Sequence, residues 1–273
     1  MGFSAINKSG LVLLGCGKMG SAMLQGWLAQ GIKPGSVTII DPYPSDWVQS
    51  LIGEGVSVNA DLPVSPAVCI LAVKPQMMGK ALPLLQVLGN GKTLFISIAA
   101  GTSIGRLATV LGEHSAIIRA MPNTPAAVGR GITALIGNNK TSSAQLEMAE
   151  NLLAAVGQTV RLDNEDQMDA VTAVSGSGPA YVFHLIETMA AAGEAQGLPF
   201  ELALKLAKAT VAGAGELAEQ ADETPAQLRV NVTSPAGTTA AALAVLMDVE
   251  TGFPKIVGDG IKAAADRSRE LGE

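Results

Sequence analysis

The segment that most restricts the fold is Gly15-Cys16-Gly17-Lys18-Met19-Gly20, because of what flanks it. Before it runs Gly10-Leu11-Val12-Leu13-Leu14, a short apolar run of the kind that forms a strand buried on both faces. After it, Ala22, Met23, Gly26 and Trp27 fall at helical spacing. A Gly-x-Gly-x-x-Gly turn between strand and helix has a mechanical reading. The first glycine permits the tight turn, the second lets a pyrophosphate approach the backbone, and the third lets the helix pack on the strand. A glycine-rich turn can also be purely structural. The strand before, the helix after and a second strand over 37–40 favour dinucleotide binding, so Gly15, Gly17, Lys18, Met19 and Gly20 are candidate cofactor contacts.

The second strand ends in Asp41, about twenty residues past the last glycine, where an acid accepts a hydrogen bond from the adenosine ribose. The alternative for Asp41 is a turn residue opening a loop with Pro42 and Pro44. Asp41 leans toward NADH, no arginine follows at once to hold a 2′-phosphate, and nearby Ser45 could contact one; NADPH or NADH stays open. Further strands over 56–58, 67–73, 93–98 and 116–119 predict a doubly wound, mostly parallel sheet. Asn59, just past the strand over 56–58, joins the candidate cofactor residues. Ligands bind outside the carboxyl ends of such strands. That places Ala72-Val73-Lys74-Pro75 and the loop of Met121 and Asn123 beside the nicotinamide half, although the prolines there could simply stop strands. A strand over 131–136, a helix over 144–156 and a strand over 159–162 complete this half.

From Gln167 strand patterns vanish, and helices are expected over 179–196, 199–220, 238–251 and 254–271. Val182, Phe183, Ile186, Met189 and Ala190 read as core, with His184 a satisfied core or interface residue rather than a catalyst. The junction at 174–181 alternates serine with glycine and serves either as a hinge or as a source of hydroxyls and amides. Between two helices stands Thr233-Ser234-Pro235-Ala236-Gly237-Thr238-Thr239. Its hydroxyls and the amides of Gly237, Thr238 and Thr239 gather at a helix start, a place that favours a carboxylate or phosphate. One capping hydroxyl would explain the helix start alone, but four exceed that need.

A helical layer of about a hundred residues buries little by itself. Its alanine clusters at 191–192, 240–242 and 263–265 allow close helix contact, so a symmetric homodimer through this half is expected. A net charge of -6 with no basic run argues against nucleic acid. Cys16 and Cys69 lie among apolar neighbours, no signal peptide or membrane-length apolar run is present, and a reducing cytoplasm fits. No His, Cys or carboxylate spacing points to a metal.

Residues 233–239, with 174–181, 72–75 and 121–125 in that family's order, resemble pyrroline-5-carboxylate reductases over nearly the whole chain. The resemblance implies an N-terminal Rossmann domain over 1–165 and an all-α dimerisation and substrate domain over 166–273, with dimers that often assemble into decamers. It implies reduction of (S)-1-pyrroline-5-carboxylate to L-proline with NADPH or NADH. By position, Ser234 and the amides of Gly237, Thr238 and Thr239 would hold the substrate carboxylate. Thr239 would hydrogen-bond the ring nitrogen, and Ser177 would lie near nicotinamide and substrate. Ala236 departs from the family's first glycine in Pro-Gly-Gly, and Val230 stands where an acid is common. Two other readings stand beside this one. Lys205 and Lys208 leave room for an alcohol-oxidising β-hydroxyacid type, although Ala209 stands where that type has an asparagine; a non-catalytic, dimeric nucleotide sensor is the second.

Overall fold

The computed structural model describes residues 3–89 and 91–272. By compactness the chain forms two units, Met1–Gly176 together with Ala265–Glu273, and Ser177–Ala264.

The first unit is built on one sheet: β1 (Leu11–Leu14), β2 (Val37–Ile40), β3 (Ser57–Val58), β4 (Val68–Leu71), β5 (Leu94–Ser97), β6 (Ala116–Met121), β7 (Gly131–Gly137) and β8 (Gly157–Arg161). Their order is β3-β2-β1-β4-β5-β6-β7-β8, and every pair is parallel except β6 with β7. The exception has a simple cause. Residues 122–130, which join those two strands, fall short of the dozen or so that a parallel crossover needs. Every residue of β1, β4 and β5 is buried, as their continuous apolar runs require of strands covered on both faces.

Side-chain alternation divides the core between the two faces. Leu11 and Leu13 join Trp27, Ile39 and Leu152 on one side, and Val12 and Leu14 join Leu85, Phe95 and Leu107 on the other. The covering helices are α1 (Ser4–Ser9), α2 (Lys18–Ala29), α3 (Asp46–Ser50), α4 (Pro75–Ala81), α5 (Ile104–Leu111) and α6 (Ser143–Leu153). The indole N–H of fully buried Trp27 donates to the Leu152 carbonyl at 2.7 Å, which fixes α2 against α6. Buried Arg119 donates to Glu165 Oε1 at 2.9 Å, and the same oxygen accepts the Ile104 N–H at 2.8 Å. The last helix reaches this unit through Ser268, whose hydroxyl donates to Asp169 at 2.6 Å. α7 (Met168–Val171) then loosens into one π turn over Thr172–Gly176.

The second unit holds α8 (Gly178–Ala195), α9 (Phe200–Gln220), α10 (Pro225–Asn231), α11 (Thr238–Leu246) and the start of α12 (Phe253–Gly272). α8 and α9 meet through small residues: Ala190, Ala203 and Ala207 are buried, and a Cβ on Gly193 would lie 3.1 Å from that of Ala203. The predicted core of α8 is corrected here. Ala190 is buried, but Val182, Phe183 and Met189 are exposed in the protomer, since a helix packed on one neighbour covers only one face. His184 is likewise exposed and pairs with Glu187 at 3.2 Å. The helix expected over 238–251 stops at Leu246. Asp248 Oδ1 accepts from the Glu250 and Thr251 amides and the Thr251 hydroxyl, a local turn that competes with helix. Those bonds, the Thr251 hydroxyl first, hold the Asp248 carboxyl below its usual range.

Candidate functional site

In the sheet unit the glycine-rich turn is shaped by packing. Gly15 has φ +86, and a Cβ there would approach Val73 Cγ1 at 2.8 Å and the Ala72 carbonyl oxygen at 2.9 Å. A Cβ on Gly20 would stand 2.6 Å from the Gly15 oxygen. Gly17 differs, with no atom within 4 Å of its would-be Cβ. Two glycines thus close the turn while the middle one leaves open backbone, as an approaching phosphate requires. Lys18 and Met19 begin α2, whose N-terminus has no side-chain cap, so its first amides have no partner within the helix. Burial, chiefly, pushes the Cys16 thiol upward, against the thiolate form.

Asp41 stands at the carboxyl end of β2, where Oδ2 accepts the Cys16 N–H at 2.7 Å and Oδ1 the Tyr43 N–H at 2.8 Å. Asn59 clamps the Asp41 backbone, accepting its N–H at 2.9 Å and donating to its carbonyl at 2.8 Å. Gly15, Cys16, Asp41, Asn59, Ala72 and Val73 therefore form one connected group where strand order reverses around β1. Lys74 stands exposed at the N-cap position of α4, with Pro75 as the helix's first residue. Asn123 has a structural tie that its sequence did not announce: its side-chain oxygen accepts the Ile132 N–H at 2.9 Å. The π turn packs Gly176 so closely on Met121 that a Cβ would meet Met121 Cε at 2.5 Å. π turns are rare and frequent at functional sites. Its only trace in the sequence is the pair Thr172 and Ser175, whose hydroxyls donate to carbonyls four residues back. Ser177 follows as a bend and opens the second unit.

In the helical unit the hydroxyl-rich loop is sorted by hydrogen bonding. Thr233 donates to the Arg229 carbonyl at 2.6 Å and so terminates α10 rather than facing a ligand. Ser234-Pro235-Ala236-Gly237 is a tight turn in which the Gly237 N–H donates to the Ser234 carbonyl at 3.1 Å. The expectation of a free Gly237 amide is corrected accordingly. The amides of Thr238 and Thr239 open α11, which has no side-chain cap. Thr238 and Thr239 bring their hydroxyls to this helix start by position, and Ser234 Oγ lies against Gly237. A Cβ on Gly237 would fall 2.3 Å from Ser234 Oγ, so glycine sets the hydroxyl's place.

Ala236 has φ +58, in the left-handed region that glycine and asparagine favour at the third position of such a turn. Left-handed strain of about 1–2 kcal/mol outweighs the extra chain entropy of an unfolded glycine, about 0.4–1 kcal/mol. Ala236→Gly is expected to stabilise the protein by about 0.5–1 kcal/mol, read as a higher denaturation midpoint. An unchanged or lower midpoint would show that the turn carries no strain.

Comparison with known proteins places these features in context. Residues 165–271 match the family described as pyrroline-5-carboxylate reductase dimerisation, and residues 10–101 match NADP oxidoreductase coenzyme F420-dependent. The chain is 42% identical over 267 residues to the pyrroline-5-carboxylate reductase of Synechocystis, covering 96% of this chain and 98% of that one. It is 40% identical to that of Pseudomonas aeruginosa, covering 96% and 97%. Among solved structures, a pyrroline-5-carboxylate reductase from Coxiella burnetii superposes with TM-score 0.88 at 33% identity, covering 97% of this chain and 99% of that one. A Plasmodium falciparum pyrroline carboxylate reductase with NADP bound gives TM-score 0.83 at 30% identity, covering 98% and 99%.

Proposed function

The chain belongs to the pyrroline-5-carboxylate reductase family, and from that membership we propose how its own residues carry the reaction. It is an NAD(P)H-dependent oxidoreductase that reduces (S)-1-pyrroline-5-carboxylate to L-proline, the last step of proline synthesis. Bound NAD(P)H supplies a hydride to the imine carbon, and the nitrogen ends with the proton. The protonated imine is already an electrophile, so the protein's task is chiefly to orient the reactants.

The open turn at Gly17, with Gly15, Lys18, Met19 and Gly20 around it, cradles the pyrophosphate. Asp41 and Asn59 serve the adenosine ribose, and Ala72 to Pro75 with Met121 and Asn123 serve the nicotinamide half. The Ser234 hydroxyl and the Thr238 and Thr239 amides bind the substrate carboxylate, with Gly237 setting the turn. The Thr239 hydroxyl orients the ring nitrogen and its proton, and Ser177 assists beside the reacting atoms. The observation that carries this assignment is the uncapped N-terminus of α11 with hydroxyls gathered at it. Residues 1–165 act as the dinucleotide domain and 166–273 as the substrate and dimerisation domain. The dimer is the working unit, with assembly into decamers as a further step, in the cytoplasm. Among the described residues no helix is long and apolar enough to cross a membrane.

The test follows oxidation of NADH and NADPH with pyrroline-5-carboxylate and identifies proline as product. Thr239→Ala is expected to lower turnover with NAD(P)H binding retained. An unaltered steady-state rate in that variant would remove Thr239 from the mechanism, and no oxidation with either cofactor would overturn the substrate.

A further inference from the structure

We propose that Asp41 makes this reductase prefer NADH over NADPH, and that Asn59 is the positioning residue that fixes it; the proposal rests on the family reading above. Asp41 ends β2 beside the glycine-rich turn, and its carboxylate is tied at both oxygens to the Cys16 and Tyr43 amides. A side chain so held cannot swing away from an incoming group. Each oxygen keeps lone-pair capacity, so the carboxylate still accepts from ribose hydroxyls. A 2′-phosphate in the same place would bring its own negative charge against it.

The chain segment that carries Asp41 offers that phosphate no cation. From Pro34 to Val73, the stretch that forms β2, β3 and β4 with their connections, the chain carries Asp41, Asp46, Glu54 and Asp61 and no lysine, arginine or histidine. The nearest cations along the chain are Lys33, before β2 begins, and Lys74, beyond β4. Ser45, the hydroxyl best placed in sequence to meet a phosphate, instead caps α3 by accepting the Val48 N–H at 3.3 Å. Asn59 holds the backbone of Asp41 through both of its amide atoms from a left-handed conformation at φ +52. Discrimination of this kind comes from an element that repels the wrong ligand as well as one that binds the right one.

The experiment titrates NADH and NADPH separately into the full-length enzyme by nicotinamide fluorescence and measures kcat/KM for each with pyrroline-5-carboxylate. The wild type is expected to favour NADH by about tenfold or more in both readouts. Asp41→Ser is expected to move the NADH-to-NADPH ratio toward NADPH by about tenfold or more. Asn59→Gly, which tolerates the left-handed backbone but removes both hydrogen bonds, is expected to narrow the ratio in part. Added to Asp41→Ser it is expected to move the ratio no further. Equal wild-type affinity for the two cofactors, or a folded Asp41→Ser with an unchanged ratio, would overturn the proposal. Should Asp41→Ser fail to fold, the wild-type ratio and Asn59→Gly decide. Selective NADH binding without turnover of the imine would instead sink the substrate assignment and leave this proposal standing.

Discussion

Gly237→Ala is expected to lower kcat/KM for pyrroline-5-carboxylate on the order of a hundredfold, the scale of loss when a positioning group shifts by about an ångström. The cause is contact rather than backbone strain. Gly237 has φ -82, which alanine accepts, but its Cβ would sit 2.3 Å from Ser234 Oγ and 3.2 Å from the Ser234 carbonyl oxygen. Either the hydroxyl turns away or the turn opens and the bond from the Gly237 N–H to Ser234 lengthens. Both displace the group assigned to the substrate carboxylate.

A double-mutant cycle separates this from general damage. In a Ser234→Ala background the 2.3 Å clash is gone, so Gly237→Ala should cost much less than it does alone, because residues in contact couple. Dissociation constants for NADH measured without imine serve as the control for folding of the cofactor half. Losses that simply add would mean that the two residues act independently and that Ser234 does not need its glycine.

Much of the sheet unit is legible in the chain because its strands are buried on both faces and so read as continuous apolar runs. Leu11–Leu14, Val68–Leu71 and Leu94–Ser97 are the clearest cases. The glycine-rich turn is legible for a related reason: Gly15 and Gly20 are demanded by close packing that a Cβ would break. The helical unit resists the same treatment. Helical spacing in α8 marks an apolar face correctly but does not say what covers it. Val182 and Phe183 therefore read as core, although in the protomer they are exposed.

Hydrogen-bond bookkeeping inside loops is also hidden from composition. A count of hydroxyls in 233–239 treats Thr233 and Ser234 alike, yet Thr233 ends α10 and Ser234 packs against Gly237. The π turn before Ser177 depends on the fit of Gly176 to Met121, two residues far apart in the chain. What remains out of reach of sequence is which partner each polar group takes.

Val245→Asp and Ile256→Asp are each expected to turn the oligomer into monomers. In the protomer these side chains are 69% and 61% exposed, so a charge there costs the isolated chain little. That makes them clean probes of what covers them in the assembly. The helical unit also carries a groove lined mainly by apolar side chains, among them Leu243, Leu246, Met247, Phe253 and Val257, with Arg229 beside them. Monomeric proteins rarely leave contiguous apolar surface of this kind in water. The family match over 165–271 is to a dimerisation domain, so a second copy of the chain is the expected cover that these substitutions test. Replacing a buried aliphatic side chain by an unpaired carboxylate loses about 1.5–3 kcal/mol of burial before any desolvation is counted. In a two-fold symmetric dimer each substitution occurs twice, so the dissociation constant should rise by about a hundredfold or more. Sedimentation velocity should show the shift to monomer. Because the helical unit buries few large side chains of its own, the denaturation midpoint should fall and depend on protein concentration. A variant that stays dimeric with an unmoved midpoint would place its residue on the solvent face of the assembly and assign the contact to the remaining exposed face of α8, around Phe183.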